Sequence, residues 1–79
     1  MKHLLSSLTG KPVRSARGRD VGTLRRLTMD PKTGQLEELI IDPGENRLSD
    51  SNLTRTKDGF YKCRFSKIDG VDSVIVVDI

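Results

Sequence analysis

Hydrophobic residues along this chain recur in short runs, and several of these runs alternate with polar residues as β-strands do. The run "QLEELIID" (35–42) ends in three consecutive apolar residues, so we expect both faces of that strand to be partly covered. The last run, "SVIVVDI" (73–79), contains four consecutive β-branched aliphatic residues, which favour strands. The pattern predicts strands at about 12–16, 21–29, 35–42, 60–66 and 73–78.

Turn-forming residues separate these runs. "DPKTG" (30–34) places Pro31 where a type I turn favours φ of about −65°, and it places Gly34 where a left-handed residue is needed. "KDG" contains the Asp-Gly pair that is typical of β-hairpins, and "ARGRD" and "DPG" end other runs. Turn signals at such short spacing favour an all-β barrel or sandwich over a helical bundle.

The second predicted strand does not alternate regularly. Val21, Leu24 and Leu27 are spaced by three, which is a helical spacing, before Met29 restores alternation. The flanking turns and Gly22 disfavour a helix. We therefore expect a bulged, strongly bent strand of the kind that small closed barrels require, with the glycine at the bend.

The remaining segments connect these strands. Residues 43–57 are polar and rich in turn formers, and we expect a long polar loop there. "FSKIDGV" (65–71) favours a single helical turn with Ser66 as its N-cap, leading into the last strand. Residues 1–79 are thus predicted to form one all-β domain, a small, strongly bent β-barrel of five to six strands with one short helical turn before the last strand.

The last strand is apolar on both faces, although a barrel of this size can bury only one of them. Either the N-terminal leucines (Leu4, Leu5 and Leu8) fold back over the outer face, or a second subunit covers it. We favour a second subunit, because an uncovered strand of this kind promotes association and a domain this small often needs additional stabilisation. The predicted dimer interface consists of Val74, Ile75, Val76, Val77 and Ile79.

Charge is distributed unevenly along the chain, whose net charge is +3. The first 30 residues carry seven Lys or Arg and two Asp, whereas residues 31–54 carry two basic and five acidic residues. Opposed charges of this kind suit association with another protein at least as well as with nucleic acid. The aromatic residues that would stack on bases are limited to Phe60, Tyr61 and Phe65, of which the core needs at least two, so nucleic-acid binding is the weaker interpretation.

The sequence predicts no catalytic, metal or cofactor site. Cys63 is the only cysteine and His3 the only histidine, which excludes an intrachain disulfide and a closed zinc site. We expect Cys63 to be a small core residue. The glycines fit neither GxxxxGK[ST] nor GxGxxG, which argues against a phosphate-binding loop. We therefore expect a protein that is not an enzyme.

The sequence also bears on the cellular compartment. No run approaches the roughly 20 apolar residues of a membrane span, and "MKHLLSSL" is too short for the core of a signal peptide. A lone thiol fits a reducing environment. We therefore expect a cytoplasmic protein.

Four sets of residues follow the order and spacing of the motifs of a known family. They are Leu8, Gly10, Lys11 and Val13; Gly18, Val21, Gly22 and Leu24; Asp30, Gly34 and Leu36; and Phe65, Ile68 and Val71–Val77. In these residues the chain resembles the PRC-barrel domain, which is named for the cytoplasmic domain of the photosynthetic reaction-centre H subunit. The resemblance covers nearly the whole chain apart from the loop at 43–57. One departure is Arg64, where the family often has proline.

The resemblance implies a strongly bent β-barrel that serves as a protein-interaction module. A single domain of about 80 residues is most similar to stand-alone archaeal members, which act in FtsZ-based cell division and associate with the membrane-anchoring protein SepF and with other PRC-barrel proteins. The resemblance therefore implies a non-enzymatic adaptor that is homodimeric or paired with a paralogue. A membrane-anchored partner would bring this adaptor to the division site. For the partner-binding surface we predict Arg17, Arg19, Arg25 and Arg26.

A second interpretation is a ribosome-maturation or RNA-associated factor, because the same domain forms the C-terminal half of RimM. The absence of the N-terminal domain of RimM and the scarcity of aromatic residues weigh against it. A ligand inside the barrel is not expected, since a barrel this small is filled by its own side chains.

Overall fold

The computed structural model describes residues 8–45 and 53–79, which form one seven-stranded β-sheet and one short 3-10 helix. The strands are β1 (Pro12–Ser15), β2 (Asp20–Met29), β3 (Leu36–Asp42), β4 (Thr54–Arg55), β5 (Tyr61–Arg64), β6 (Ile68–Val71) and β7 (Ile75–Val77), and the 3-10 helix is Phe65–Lys67. Their order across the sheet is β4-β5-β3-β2-β1-β7-β6. Neighbouring strands are antiparallel except β1 and β7, which are parallel.

Five of these strands lie where the pattern predicted them, but the predicted count of five to six strands was too low. β4 has only two residues, too few for alternation to be recognised, and it falls inside the predicted loop at 43–57. β6 has the sequence Ile-Asp-Gly-Val, in which Asp and Gly are uncommon strand residues. The part of the predicted loop at 46–52 lies outside the described residues.

The predicted helical turn exists as the 3-10 helix, but two details of the prediction were wrong. Arg64 occupies the N-cap position, with extended backbone angles and no side-chain capping bond, because the helix begins two residues earlier than expected. Ser66 is therefore inside the helix. The helix leads into β6 and not directly into the last strand. No helix in the described ranges is long and apolar enough to cross a membrane.

The predicted turns are held by local hydrogen bonds. In "DPKTG" the Asp30 carboxylate accepts a bond from the Lys32 N–H at 2.8 Å, and the Gly34 N–H donates to the Asp30 carbonyl oxygen at 2.8 Å. Gly34 has φ of 74° and Gly59, in "KDG", has φ of 85°. These are left-handed conformations that glycine adopts at little cost, so both glycines are required by the turns.

β2 carries two bulges, which confirms the prediction from its irregular pattern. The register with β1 shifts at Val21, and the register with β3 steps from Leu24 to Arg26, so Arg25 is an extra residue. The extra residue allows Leu24 and Leu27 to face the core despite their spacing of three.

The core lies on one face of the sheet and contains residues from five strands. The described sheet is not closed, since β4 and β6 are its two ends, but it curls over the core on one face: the radius of gyration of 11.9 Å is close to the roughly 12 Å of a compact chain of this length. Cys63 belongs to this core, as predicted. The buried members are Leu8, Val13, Val21, Leu24, Leu39, Ile41, Leu53, Tyr61, Cys63, Ile75, Val77 and Ile79.

β3 is covered on both faces, as expected from its three consecutive apolar residues. Leu39 and Ile41 lie in the core, whereas Ile40 is not part of that cluster but is only 4% exposed. Its cross-strand neighbours are Arg26 on β2 and Lys62 on β5. The aliphatic stems of such side chains cover apolar surface while their charged ends stay in water, so Arg26 contributes packing as well as charge.

Candidate interaction surface

The last strand presents apolar side chains on two faces, but only one face is available to a partner. Ile75, Val77 and Ile79 are buried in the core, with exposed fractions of 0%, 0% and 6%. Val74 and Val76 are half-buried and do not belong to the core cluster. Because a core side chain cannot contact a second subunit, the predicted interface narrows on this strand to Val74 and Val76.

Of the three N-terminal leucines proposed as an alternative cover for this face, Leu8 lies among the described residues. Leu8 is buried at 6% exposure and belongs to the core cluster, so it does not cover the outer face. Leu4 and Leu5 lie outside the described residues, as does His3.

Val76 is the centre of a row of residues across three strands. Its neighbours are Arg14 on β1 and Gly70 on β6. A β-carbon at Gly70 would meet no atom within 4 Å, so the surface beside Val76 is open on that side. An aliphatic side chain with an open flank and a guanidinium on its other side is a place where another protein can pack.

A groove of about 480 Å³ opens beside Val74. Its apolar lining comes from Val74, Pro12 and the buried Val13 and Pro43. Gly22 brings the two walls together, because a β-carbon there would collide with the carbonyl oxygen of Asp42 and lie 2.9 Å from the α-carbon of Pro43. The groove therefore depends on the glycine that sequence analysis placed at the bend.

The charged residues that line the groove give it a net negative charge. One of them is positive, Arg14, and three are negative, Asp20, Asp42 and Glu45. Arg14 Nε lies 3.4 Å from Asp20 Oδ1, and Arg25 Nε, which is not among the lining residues, lies 4.0 Å from Asp42 Oδ2. These side chains are substantially exposed, so the ion pairs add little stability. The groove combines apolar surface with carboxylates, which suits a partner segment that carries an apolar and a basic residue.

The four arginines predicted to bind a partner are all exposed, but they form two separate pairs. Arg17 and Arg19 lie in the turn between β1 and β2, whereas Arg25 and Arg26 lie farther along β2. Arg19 and Arg25 are six positions apart, which corresponds to at most about 20 Å along an extended strand. The two pairs therefore lie on different elements, one in the turn and one on β2.

Ser15 shapes the turn that carries the first pair, and sequence analysis did not identify it. It is only 2% exposed, and its Oγ accepts bonds from the Arg17 N–H at 3.2 Å and from the Arg19 N–H at 3.1 Å. The available signal was a serine directly before a glycine-containing turn, since Ser hydroxyls often bond to the backbone of a following turn.

The second pair of arginines is adjacent on the surface because of the bulge in β2. Besides its pairing with Asp42, Arg25 places its guanidinium carbon 5.6 Å from the ring centre of Phe60. Arg26 flanks the buried Ile40. Both arginines thus have contacts within the chain, and their charges are only part of their role.

The described residues contain little that suggests chemistry at a site. In residues 8–45 and 53–79 no group of three or more His, Cys, Asp or Glu is arranged to hold a metal ion. The Cys63 thiol is buried at 2% exposure and donates a weak bond to the Arg64 carbonyl oxygen at 3.7 Å. The exposed surface at Val74 and Val76 and the groove beside it suit binding.

Comparison with known proteins identifies one family. A family model described as the PRC-barrel domain matches residues 1–79. A search of curated proteins gives no significant match. The family match spans the whole chain, and the curled all-β sheet is consistent with it.

Proposed function

Since the chain belongs to the PRC-barrel domain family, we propose that it is a non-enzymatic adaptor that docks a protein partner on the outer face of β7. The proposed partner is SepF or a related protein of archaeal FtsZ-based cell division, or another PRC-barrel protein. The support for this partner is the resemblance of the motifs to the stand-alone archaeal members. The adaptor also self-associates as a homodimer or pairs with a paralogue.

The observation that carries the docking proposal is the exposed side of Val74 and Val76. Neither valine is part of the core, and each lies beside open surface: Val76 beside Gly70, and Val74 in the groove with Pro12. Aliphatic surface with a polar rim is typical of the centre of a protein–protein contact. The carboxylates of the groove favour a basic residue of the partner next to the apolar contact.

The experiment is a binding measurement between this chain and purified archaeal SepF, with two lysine variants. Val76→Lys places a charge in the proposed contact, and we expect at least tenfold weaker binding. Met29→Lys changes a residue that is 49% exposed on β2, away from the proposed contact, and it should bind as the wild type does. Circular dichroism of both variants establishes that they are folded.

Two outcomes would contradict the proposal. If the wild type does not bind SepF or another division protein, the assignment to cell division is wrong. If it binds and Val76→Lys binds equally well, the outer face of β7 is not the docking surface.

The second candidate, an RNA-associated factor, is favoured by the seven basic residues among the first 30. Against it, Tyr61 is buried, Phe60 lies under Arg25, and Arg14 and Arg25 pair with carboxylates. Fluorescence anisotropy with a ribosomal RNA fragment separates the two functions. A protein that contacts six to ten phosphates loses roughly 10³–10⁵ in affinity between 50 and 200 mM salt, whereas docking through aliphatic surface changes little.

A further inference from the structure

β6 forms one end of the described sheet. It pairs with β7 on one side, and no described strand pairs with its other side. Val71, its last residue, is 47% exposed. An uncovered strand edge with an exposed aliphatic residue is a template for pairing with another strand. The opposite end of the sheet, β4, has only two residues and therefore has fewer backbone groups with which another strand could pair.

Hydrogen bonds at both ends of β6 fix the direction of its backbone groups. The Lys67 carbonyl oxygen accepts a bond from the Asp78 N–H at 2.7 Å, and the Asp72 N–H donates to the Val74 carbonyl oxygen at 3.0 Å. Val74 and Asp78 are the residues on either side of β7. In an antiparallel pair, residues that bond to the neighbour alternate with residues that do not. Ile68 and Val71 lie just inside these two bonds, so their own N–H and C=O groups point away from β7.

A bulge at Asp69 gives Ile68 and Val71 this common orientation. The register with β7 steps from Ile68 to Gly70, so Asp69 is an extra residue. In a regular strand, residues three apart would face opposite ways, and the extra residue removes that difference. The Ile68 N–H donates to the Phe65 carbonyl oxygen. The groups directed to the open edge are therefore the Ile68 carbonyl oxygen and both backbone groups of Val71.

We infer that two copies of this chain pair antiparallel through β6, around a two-fold axis. Ile68 of each copy lies opposite Val71 of the other, so each Val71 N–H donates to an Ile68 carbonyl oxygen. The exposed Val71 side chain is covered by Ile68 of the second copy. The inference rests on the self-association in the proposed function, and it assigns that self-association to a surface other than Val74 and Val76.

Charge supports the same register. Lys67 precedes Ile68 and Asp72 follows Val71, so each Lys67 lies opposite Asp72 of the second copy, twice by symmetry. Lys67, the last residue of the 3-10 helix, and Asp72 flank β6 directly, and opposite charges at the two ends of a strand pair stabilise the pairing. The segment "KIDGVD" (67–72) is therefore complementary to itself when its direction is reversed.

Asp69 opposes the pairing. The two Asp69 side chains approach the two-fold axis, and like charges across strands are destabilising. Gly70 leaves space there, because a β-carbon at that position would meet nothing within 4 Å. A charged bulge is one of the ways in which proteins limit pairing at a strand edge. We therefore expect a reversible dimer.

The first test is the mass of the protein in solution, measured by light scattering over a range of concentrations. Val71→Lys puts a charge where Ile68 of the second copy would pack, and it should weaken dimerisation at least tenfold. Met29→Lys is the matched control, since Met29 is equally exposed but lies on β2, and it should dimerise as the wild type does. A dimer that survives Val71→Lys, or a wild type that stays monomeric, overturns the inference.

The second test fixes the register. Lys67→Asp and Asp72→Lys should each weaken self-association severalfold, because each places like charges at both ends of the junction. A mixture of the two variants should form a heterodimer with nearly wild-type affinity, since the reversed charges again meet their opposites. Asp69→Asn should strengthen the dimer. If the mixture does not restore pairing, the register is wrong.

Failure of this inference can be distinguished from failure of the proposed function. A dimer that Val76→Lys splits and Val71→Lys does not would overturn pairing through β6 and move self-association to the outer face. Binding of SepF is measured separately on the Val71→Lys monomer, in which Val74 and Val76 are unchanged. If that monomer binds SepF as the wild type does, docking and self-association use different surfaces.

Discussion

At the scale of single residues, Gly22 has the strictest requirement in this chain. Its φ is 154°, and a β-carbon would lie 2.8 Å from the carbonyl carbon of Asp42. Gly70 also lies in a strand, but a β-carbon there would meet nothing and its backbone is not in the left-handed region. The two glycines thus form a matched pair, in which one position excludes a side chain and the other accepts it.

We expect Gly22→Ala to lower the free energy of unfolding by about 2–3 kcal/mol, because the backbone of Asp42 and Pro43 must move to make space. Gly70→Ala should change it by less than about 1 kcal/mol. Urea denaturation followed by circular dichroism, at a concentration where the protein is monomeric, measures both. Equal losses in the two variants would argue against the close approach at Gly22.

Several residue roles could not be predicted because they depend on contacts that a sequence pattern does not contain. The position of Gly22 at a bend was predictable, but the wall that it approaches was not. Likewise, the apolar run 74–77 indicated two covered faces, but the sequence did not tell which valines face outward.

At the scale of elements, the strands that could be predicted are those with turn residues at both ends. β3 is the clearest, since its apolar run is bounded by "DPKTG" and "DPG". β4 and β6 were missed because pairing with a neighbour, and not their own composition, makes them strands. Tertiary contacts override weak local preference in such short elements.

Hydrogen exchange should reflect this difference between elements. Amides of Leu39, Ile40 and Ile41 in β3, which is flanked by β2 and β5 and covered on both faces, should exchange most slowly. Amides of Thr54 and Arg55 in β4, an exposed two-residue strand at one end of the sheet, should exchange much faster than those of β3. Exchange measured by NMR would contradict this order if β4 were as protected as β3.

At the scale of the whole molecule, 79 residues bury only a modest fraction of the chain's surface, so the isolated domain is expected to be marginally stable. Pairing through β6 would add stability through mass action, because only folded chains can form the dimer. The size of the domain and its open edge strand are thus linked, because a domain with a larger core would depend less on dimerisation for its stability.

The midpoint of thermal unfolding should therefore rise with protein concentration in the wild type, as expected for a folded dimer in equilibrium with unfolded monomers. In Val71→Lys the midpoint should be lower and independent of concentration. Differential scanning calorimetry at several concentrations provides the measurement. A wild-type midpoint that does not change with concentration would mean that self-association contributes nothing to stability.

The parallel pairing of β1 with β7 also determines when the chain can fold during its synthesis. Val13 pairs with Ile75, about 60 residues later, so the ribosome must make all the strands in between before β1, already paired with β2, can pair with its second neighbour. At about 5–20 residues per second, the two strands are translated roughly 3–12 s apart. Throughout that interval the edge of β1 that pairs with β7 is unpaired, and the core lacks the side chains of Ile75 and Val77. The nascent chain therefore cannot complete its core in stages, and folding must wait for the last strand to leave the exit tunnel.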